Sequence, residues 1–329
     1  MTLFSNFGKF GVLSAGGAKG SVGTGGTIVA LNGYNYHVFT SSGTFQVTEL
    51  GKGSDEAGAL VIAGGGAGGV GLGGGGGAGG VLYSSASFPL AIASYSVTIG
   101  AGSAGGNSPL YPQHSQRKGS NSQLGPHVAL GGGAGGAYSY LWGPAYHAGS
   151  PGGSGGGAGG VSGTSLSSTS PGTQPANNPS PSIWTTYGHD GGRGSNGPYQ
   201  AGGGGGSGGQ GNTAYGTSTS QGAGHGGVAQ PFAGWPGPGL GLPAIPSVFW
   251  AAGGGGGGYP GPGSSPTGNH QPNTEKRNGI GGAAGSASPH TNAITNSGSG
   301  GGGALHYPVS GAPHAGAGGS GIVIIRYLN

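Results

Sequence analysis

The run Ala59–Gly80, ALVIAGGGAGGVGLGGGGGAGG, limits what this chain can become. Leu60–Ala63 reads as a short buried strand, and two versions of one glycine pattern, GGGAGG and GGGGGAGG, follow it directly. The pattern returns at 131–136, 155–160 and 202–209, with further tracts at 222–227, 253–258, 298–303 and 316–321.

Glycine supplies 93 of the 329 residues, charged side chains 4% and apolar ones 32%. By composition alone such a chain reads as disordered, or as a flexible linker. Ordering glycine costs more backbone entropy than ordering any other residue, against a typical cost of about 1–2 kcal/mol per residue. Side-chain burial cannot offset that here, so an ordered fold needs a repetitive hydrogen-bonded lattice. A collagen triple helix is rejected, because it requires glycine at every third position and no such period exists. The remaining lattice is a bundle of polyproline II helices, with three residues per turn, a rise of about 3.1 Å and peptide groups pointing out to neighbours. A tract with glycine on every face can sit at the centre of such a bundle. The Ala or Ser within a tract marks a face that tolerates one small side chain.

Strand signals lie near the two ends. Thr27–Leu31 (TIVAL) is β-rich, and Asn32-Gly33 is a turn signal. Tyr36–Thr40 and Thr44–Thr48 flank Ser41-Ser42-Gly43 and are predicted to form a β-hairpin, with Tyr36, Val38 and Thr40 on one face and His37 and Phe39 on the other. Ala93–Ile99 places Tyr95, Val97 and Ile99 on one face. Ile322–Ile325 is the continuous β-branched run of a strand buried on both faces. Residues 100–321 carry almost no strand signal. The expected fold is mainly β plus polyproline II, with little or no α-helix. A small sheet or sandwich is built from both chain ends, the last strand returning to pair near Leu60–Ala63. The expected organisation is an N-terminal segment at 1–26, a β base at 27–99 and 319–329, and a glycine-rich bundle at 100–318, its first rods at 64–80.

Chemistry is sparse. There is no Cys, and a net charge of +4 is too dilute for nucleic-acid or membrane-surface binding. The start, MTLFSNFGKFG, lacks a basic region and a long apolar core, so neither a signal peptide nor a membrane span is expected. Neither Gly8-Lys9 nor Gly51-Lys52 is followed by Ser or Thr, so the P-loop is absent, and G-x-G-x-x-G matches carry no weight in so glycine-rich a chain. The acids Glu49, Asp55, Glu56, Asp190 and Glu275 suggest no catalytic pair, and the histidines lack metal-ligand spacing. No catalytic residue, cofactor or metal is expected. The better signal is aromatic: Tyr140, Trp142, Tyr146, Trp184, Tyr187, Trp235 and Trp250 are candidate contact residues. They either bind a partner or cap the ends of the rods. Phe4, Phe7 and Phe10 either anchor the chain to a partner subunit or tuck onto their own domain.

Three stretches carry a family resemblance: NGYNYHVFTSSGTFQVTE at 32–49, ALVIAGGGAGGVGLGGGGGAGGV at 59–81 with YSVTIGAGSAGG at 95–106, and GSGIVIIRY at 319–327. Together they resemble the glycine-rich domain of phage tail-fibre and other virion structural proteins, especially those of marine and cyanobacterial phages. The resemblance implies a polyproline II sandwich whose tip loops contact the host surface, and no enzyme activity. It implies location on the virion, with synthesis in the host cytoplasm. It implies contact with other virion proteins through the N-terminal segment, a host glycan or protein as receptor, and a homo-oligomer, a trimer by analogy. A capsid or tail decoration protein is the alternative, and an ice-binding or cell-wall glycine-rich protein fits less well.

Overall fold

A computed structural model describes residues 20–51, 57–106, 117–137, 147–160, 169–174, 183–195, 200–214, 224–230, 232, 235, 251–254, 256, 292–304 and 315–329. Among these the protein is mainly β, with two antiparallel sheets and no α-helix. The strands are β1 (Val22–Thr24), β2 (Thr27–Leu31), β3 (Tyr34–Phe39), β4 (Gly43–Glu49), β5 (Gly58–Ile62), β6 (Val81–Ser84), β7 (Ser94–Thr98), β8 (Ser122–Leu124), β9 (His127–Ala129), β10 (Thr185–Tyr187) and β11 (Ile322–Leu328). One sheet has the order β1-β4-β7-β8-β9, the other β10-β6-β5-β11-β3-β2.

The last strand returns as its apolar run requires. β11 lies between β3 and β5, with Ile322 opposite Ile62 and Ile325 opposite Ala59. Its side chains alternate between two cores. Val323, Ile325 and Tyr327 enter the core between the sheets, with Phe45, Val61, Leu82 and Leu124. Ile322 and Ile324 enter a second core on the outer face of the six-stranded sheet, with Tyr36, Leu60, Phe232 and Trp235.

The expected hairpin of Tyr36–Thr40 with Thr44–Thr48 does not form. β3 and β4 lie in different sheets, and Thr40-Ser41-Ser42 carries the chain across the sandwich. Phe39 and Phe45 flank that crossing and both pack in the inter-sheet core, which is the apolar contact that favours an arch over pairing. The true hairpin is β2–β3, closed by Asn32 (φ 52°) and Gly33 (φ 79°), the left-handed pair of a type I′ turn. A second crossing joins β1 to β2 through Gly25 (φ 104°) and Gly26 (φ 63°).

Above the sheets the glycine tracts form hydrogen-bonded rods. In 63–69 the N–H donors turn to a new neighbour at each residue and come back every third. Gly64 and Ala67 donate to Ser120 and Arg117, Gly65 and Gly68 to Gly319 and Gly316, and Gly66 and Gly69 to Gly77 and Gly74, at 2.8–3.1 Å. The carbonyls of the same rod accept from three others: Gly64 and Ala67 from Gly132 and Gly135, Gly66 and Gly69 from Gly301 and Ala304, and Gly65 from Ser103. Rod 73–80 likewise donates to 298–304, 130–136 and 202–205, and accepts from 63–69, 154–157 and 254. A period of three is that of a three-residue-per-turn helix. These two rods are the interior of the lattice, each with six neighbours.

The lattice is the sandwich prolonged. β5 runs into 63–69, 73–80 into β6, 315–321 into β11, 117–121 into β8 and β9 into 130–136. Where a neighbouring rod is missing, a side-chain oxygen accepts in its place. Asn121 Oδ1 takes the Gly131 N–H at 2.8 Å, Gln174 Oε1 the Leu130 N–H at 2.6 Å, and Asp190 Oδ1 the Gly172 N–H at 2.8 Å. β8, β9 and β10, which fall inside 100–318, are three residues each and were invisible as strand signals.

The rods leave no room for a side chain at their glycines. A Cβ on Gly66 would overlap the Gly133 carbonyl, and one on Gly75 the Gly254 carbonyl. Backbone on both sides cannot yield, so Gly66→Val or Gly75→Val should cost more than the roughly 1–3 kcal/mol of ordinary overpacking and remove the cooperative transition. At Gly209 a Cβ meets only the Val228 Cγ2 at 3.2 Å and its N at 3.9 Å. Gly209→Ala is therefore expected to melt within a few degrees of the parent. Denaturant melts decide this, and a cooperative transition in both rod variants would overturn the packed lattice.

Candidate binding face

Two places bear on function: the aromatic faces of the sandwich, and the end of the lattice farthest from it, where most connecting segments depart.

On the outer face of the six-stranded sheet, Arg326 is nearly buried, at 7% exposure. Its guanidinium lies between the rings of Tyr34 and Trp235, 4.7 Å from each centroid, and Nη2 donates to the Ser85 carbonyl at 3.0 Å. Such stacking is worth about 0.5–2 kcal/mol. It fixes Trp235 over β11, and Phe232 and Tyr83 stack beside it with centroids 4.9 Å apart. Burial pushes the hydroxyls of Tyr83 and Tyr187 up, and nearby Arg326 partly reverses this at Tyr83.

Between the sheets, Trp184 packs on Phe88 and His127, with centroids 5.7 and 5.2 Å away. His37 bridges three elements. Its Nδ1 lies 2.8 Å from the Gly25 carbonyl, so that nitrogen carries the proton. Its Nε2 then accepts from the Tyr327 hydroxyl at 2.7 Å. Burial holds the His37 imidazole below its ordinary range, although the Gly25 bond pulls the other way. His127 is lowered by burial, and the Tyr327 hydroxyl is raised by it.

The candidate contact residues therefore divide. Trp184 and Trp235 are 3% and 6% exposed and pack in the two cores of the sandwich. The reason is that the glycine lattice supplies no large apolar side chains to the sheets, which take theirs from distant segments. Tyr187 is half-buried on β10, with its ring on Phe232. Tyr140, Trp142, Tyr146 and Trp250 lie outside the described residues, as do Phe4, Phe7 and Phe10. Arg326 and His37 were missed. Arg326 could have been noticed as the one charge inside an apolar strand run, whereas nothing local distinguishes His37.

At the far end of the lattice, Val70 and Leu72 turn rod 63–69 into rod 73–80, and Val70 packs with Ala137, Ala304 and Ala315. Most segments between rods depart at this level. Gly106 pairs with Ala315, flanking 107–116 and 305–314. Ala137 and His147 flank 138–146, and Gly160, which donates to Leu72, precedes 161–168. Ser195 donates to Gln200 across 196–199, Ala214 and Gly224 bound 215–223, and Gly256, which donates to Gly224, precedes 257–291. At the opposite end Gly20 sits against Asn329, which donates to the Gly33 carbonyl at 2.9 Å. Segments 175–182 and 236–250 leave instead beside the sheets, next to Trp184 and Trp235.

Among the described residues no group of three His, Cys, Asp or Glu side chains could hold a metal ion, and no helix is long and apolar enough to cross a membrane. A family model for a glycine-rich domain matches residues 39–328. No curated protein matches the chain.

Buried His37 and half-buried His127 set a pH dependence. Unfolded histidine titrates near 6.5, and both His37 and His127 are depressed on folding. Below about pH 6.5 the unfolded chain takes up protons that the folded chain refuses, so stability falls until the depressed values are reached. Melting temperature should be flat above about pH 7 and decline below pH 6.5. His37→Gln should lower stability but make the acid decline shallower. Thermal melts across this range check both, and an equally steep decline in the variant would remove His37 from the explanation.

Proposed function

The chain belongs to the glycine-rich domain family, and on that premise we propose that it is a virion structural protein, a phage tail-fibre or fibre-tip adhesin without enzyme activity. The observation that carries this reading is polarity. Seven segments between rods, 107–116, 138–146, 161–168, 196–199, 215–223, 257–291 and 305–314, depart at the lattice end opposite Gly20 and Asn329. A rigid lattice that presents many connecting segments at one end is how scaffolds carry binding loops. The lattice carries little charge, Lys118 and Arg193 being exposed on its described rods, so recognition is assigned to those segments. Tyr140, Trp142 and Tyr146 sit within one of them and are the proposed contacts with a host glycan or protein. Residues 1–19, with Phe4, Phe7 and Phe10, precede Gly20 at the other end and are the proposed attachment to other virion proteins.

The buried positions of Trp184 and Trp235 favour a second reading, a capsid or tail decoration protein in which aromatics only complete the fold. Replacing 138–146 or 305–314 with Gly-Ser segments of equal length separates the two. For an adhesin, binding of the purified protein to host cells falls at least about tenfold, a loss near 1.4 kcal/mol, with unchanged melting. The same replacement of 236–250 leaves binding intact. Undiminished binding after replacement of every far-end segment would sink the adhesin reading and leave decoration.

A further inference from the structure

On one side of the sandwich both sheets end, at consecutive stretches of the same chain. β1 is the edge of the five-stranded sheet and β2 the edge of the six-stranded one. Among the described residues no strand pairs with the outer side of either. The opposite edges, β9 and β10, have only three residues each, whereas β2 has five. Edge strands are usually blunted by Lys, Pro or an inward charge. Ser21–Leu31 contains no Lys, Arg, Asp, Glu or Pro, and Val22 and Ile28 are 38% and 51% exposed.

The turn decides which peptide groups are free. A two-residue type I′ turn at Asn32-Gly33 makes Leu31 and Tyr34 the closing hydrogen-bonded pair. Alternation along the ladder then directs the N–H and C=O of Val29 toward β3, and those of Ile28 and Ala30 away from the sheet.

We propose that the outer edge of β2 is the interface for a second copy of this chain, paired antiparallel with the same strand about a two-fold axis at Val29. Ile28 of one copy faces Ala30 of the other as a hydrogen-bonded pair, so the free peptide groups of both strands meet. The two Val29 residues face each other as a non-hydrogen-bonded pair, with Cα atoms about 4.5 Å apart. The strand suits a copy of itself because it is uncharged: like charges brought opposite each other would oppose such self-pairing. The contact is isologous and closes at two copies, in place of the three that the family resemblance suggests. It uses the side of the sandwich and leaves the far end of the lattice free, and it does not depend on what that end binds.

The chain has no Cys, so a single Val29→Cys reports the axis directly. A Cα separation of about 4.5 Å falls within disulfide range. Under mild oxidant the V29C chain should convert to a covalent dimer, while Ile92→Cys, at a position 66% exposed, stays largely monomeric over the same time. Sedimentation should give a dimer for the parent chain and a monomer for Ile28→Lys, with the circular dichroism of the fold retained. A monomeric or trimeric parent, a dimer unmoved by Ile28→Lys, or crosslinking of V29C no faster than that of I92C would each overturn the proposal.

Discussion

Everything above the sheets depends on one constraint: a backbone whose peptide groups point three ways can bond to six neighbours only if almost nothing projects from its Cα atoms, no more than a methyl group at Ala67 or Ala78. In rod 63–69 successive donors reach 117–120, 316–319 and 74–77 in turn, and the carbonyls receive three more rods between them. A methyl group at Gly65, Gly66 or Gly68 would occupy the space of a carbonyl that belongs to another rod. The glycines are therefore the packing surface itself. Each bond nets only about 0.5–1.5 kcal/mol, and the lattice stands because nearly every interior residue makes two.

The sandwich and the lattice solve different halves of one problem. The sheets hold the large apolar side chains, Phe45, Leu60, Ile324 and Tyr327 among them, and so supply the burial that glycine cannot. The lattice extends those sheets without needing a core of its own. Because strands pass directly into rods at β5, β6 and β11, order set by the apolar strands is handed to the glycine tracts. Polar side chains at the margin, such as Asn121 and Gln174, complete the bonding where rods run out.

The parts of this fold legible in the sequence are those that side chains write. Ile322–Ile325 announced a strand buried on both faces, and its pairing with Leu60–Ala63 followed from the need to cover both. The three-residue period of the tracts followed from their composition. The arch between β3 and β4 was not legible, because a three-residue connection between β-rich runs is compatible with pairing in one sheet or crossing between two, and only the shared burial of Phe39 and Phe45 decides. Nor were the roles of Trp184 and Trp235. An aromatic residue among Gly, Pro and Ser looks the same whether it faces solvent or covers a sheet far away in sequence, as Trp235 covers Leu60 and Tyr36. Arg326 was hidden by the same distance, since its aromatic partners Tyr34 and Trp235 come from opposite parts of the chain.

The three-residue turn of the rods also imposes a grammar on length. Inserting one residue into rod 73–80 turns every later peptide group by a third of a revolution, so donors meant for 298–304 face 130–136 and the whole bonding pattern shifts out of phase. Only insertions or deletions of three keep each group aimed at its partner. The segments between rods obey no such rule. The protein thus behaves as a text with two kinds of passage, one counted in threes and the other free in length, and change in its outline is channelled to the free passages, most of which depart from one end.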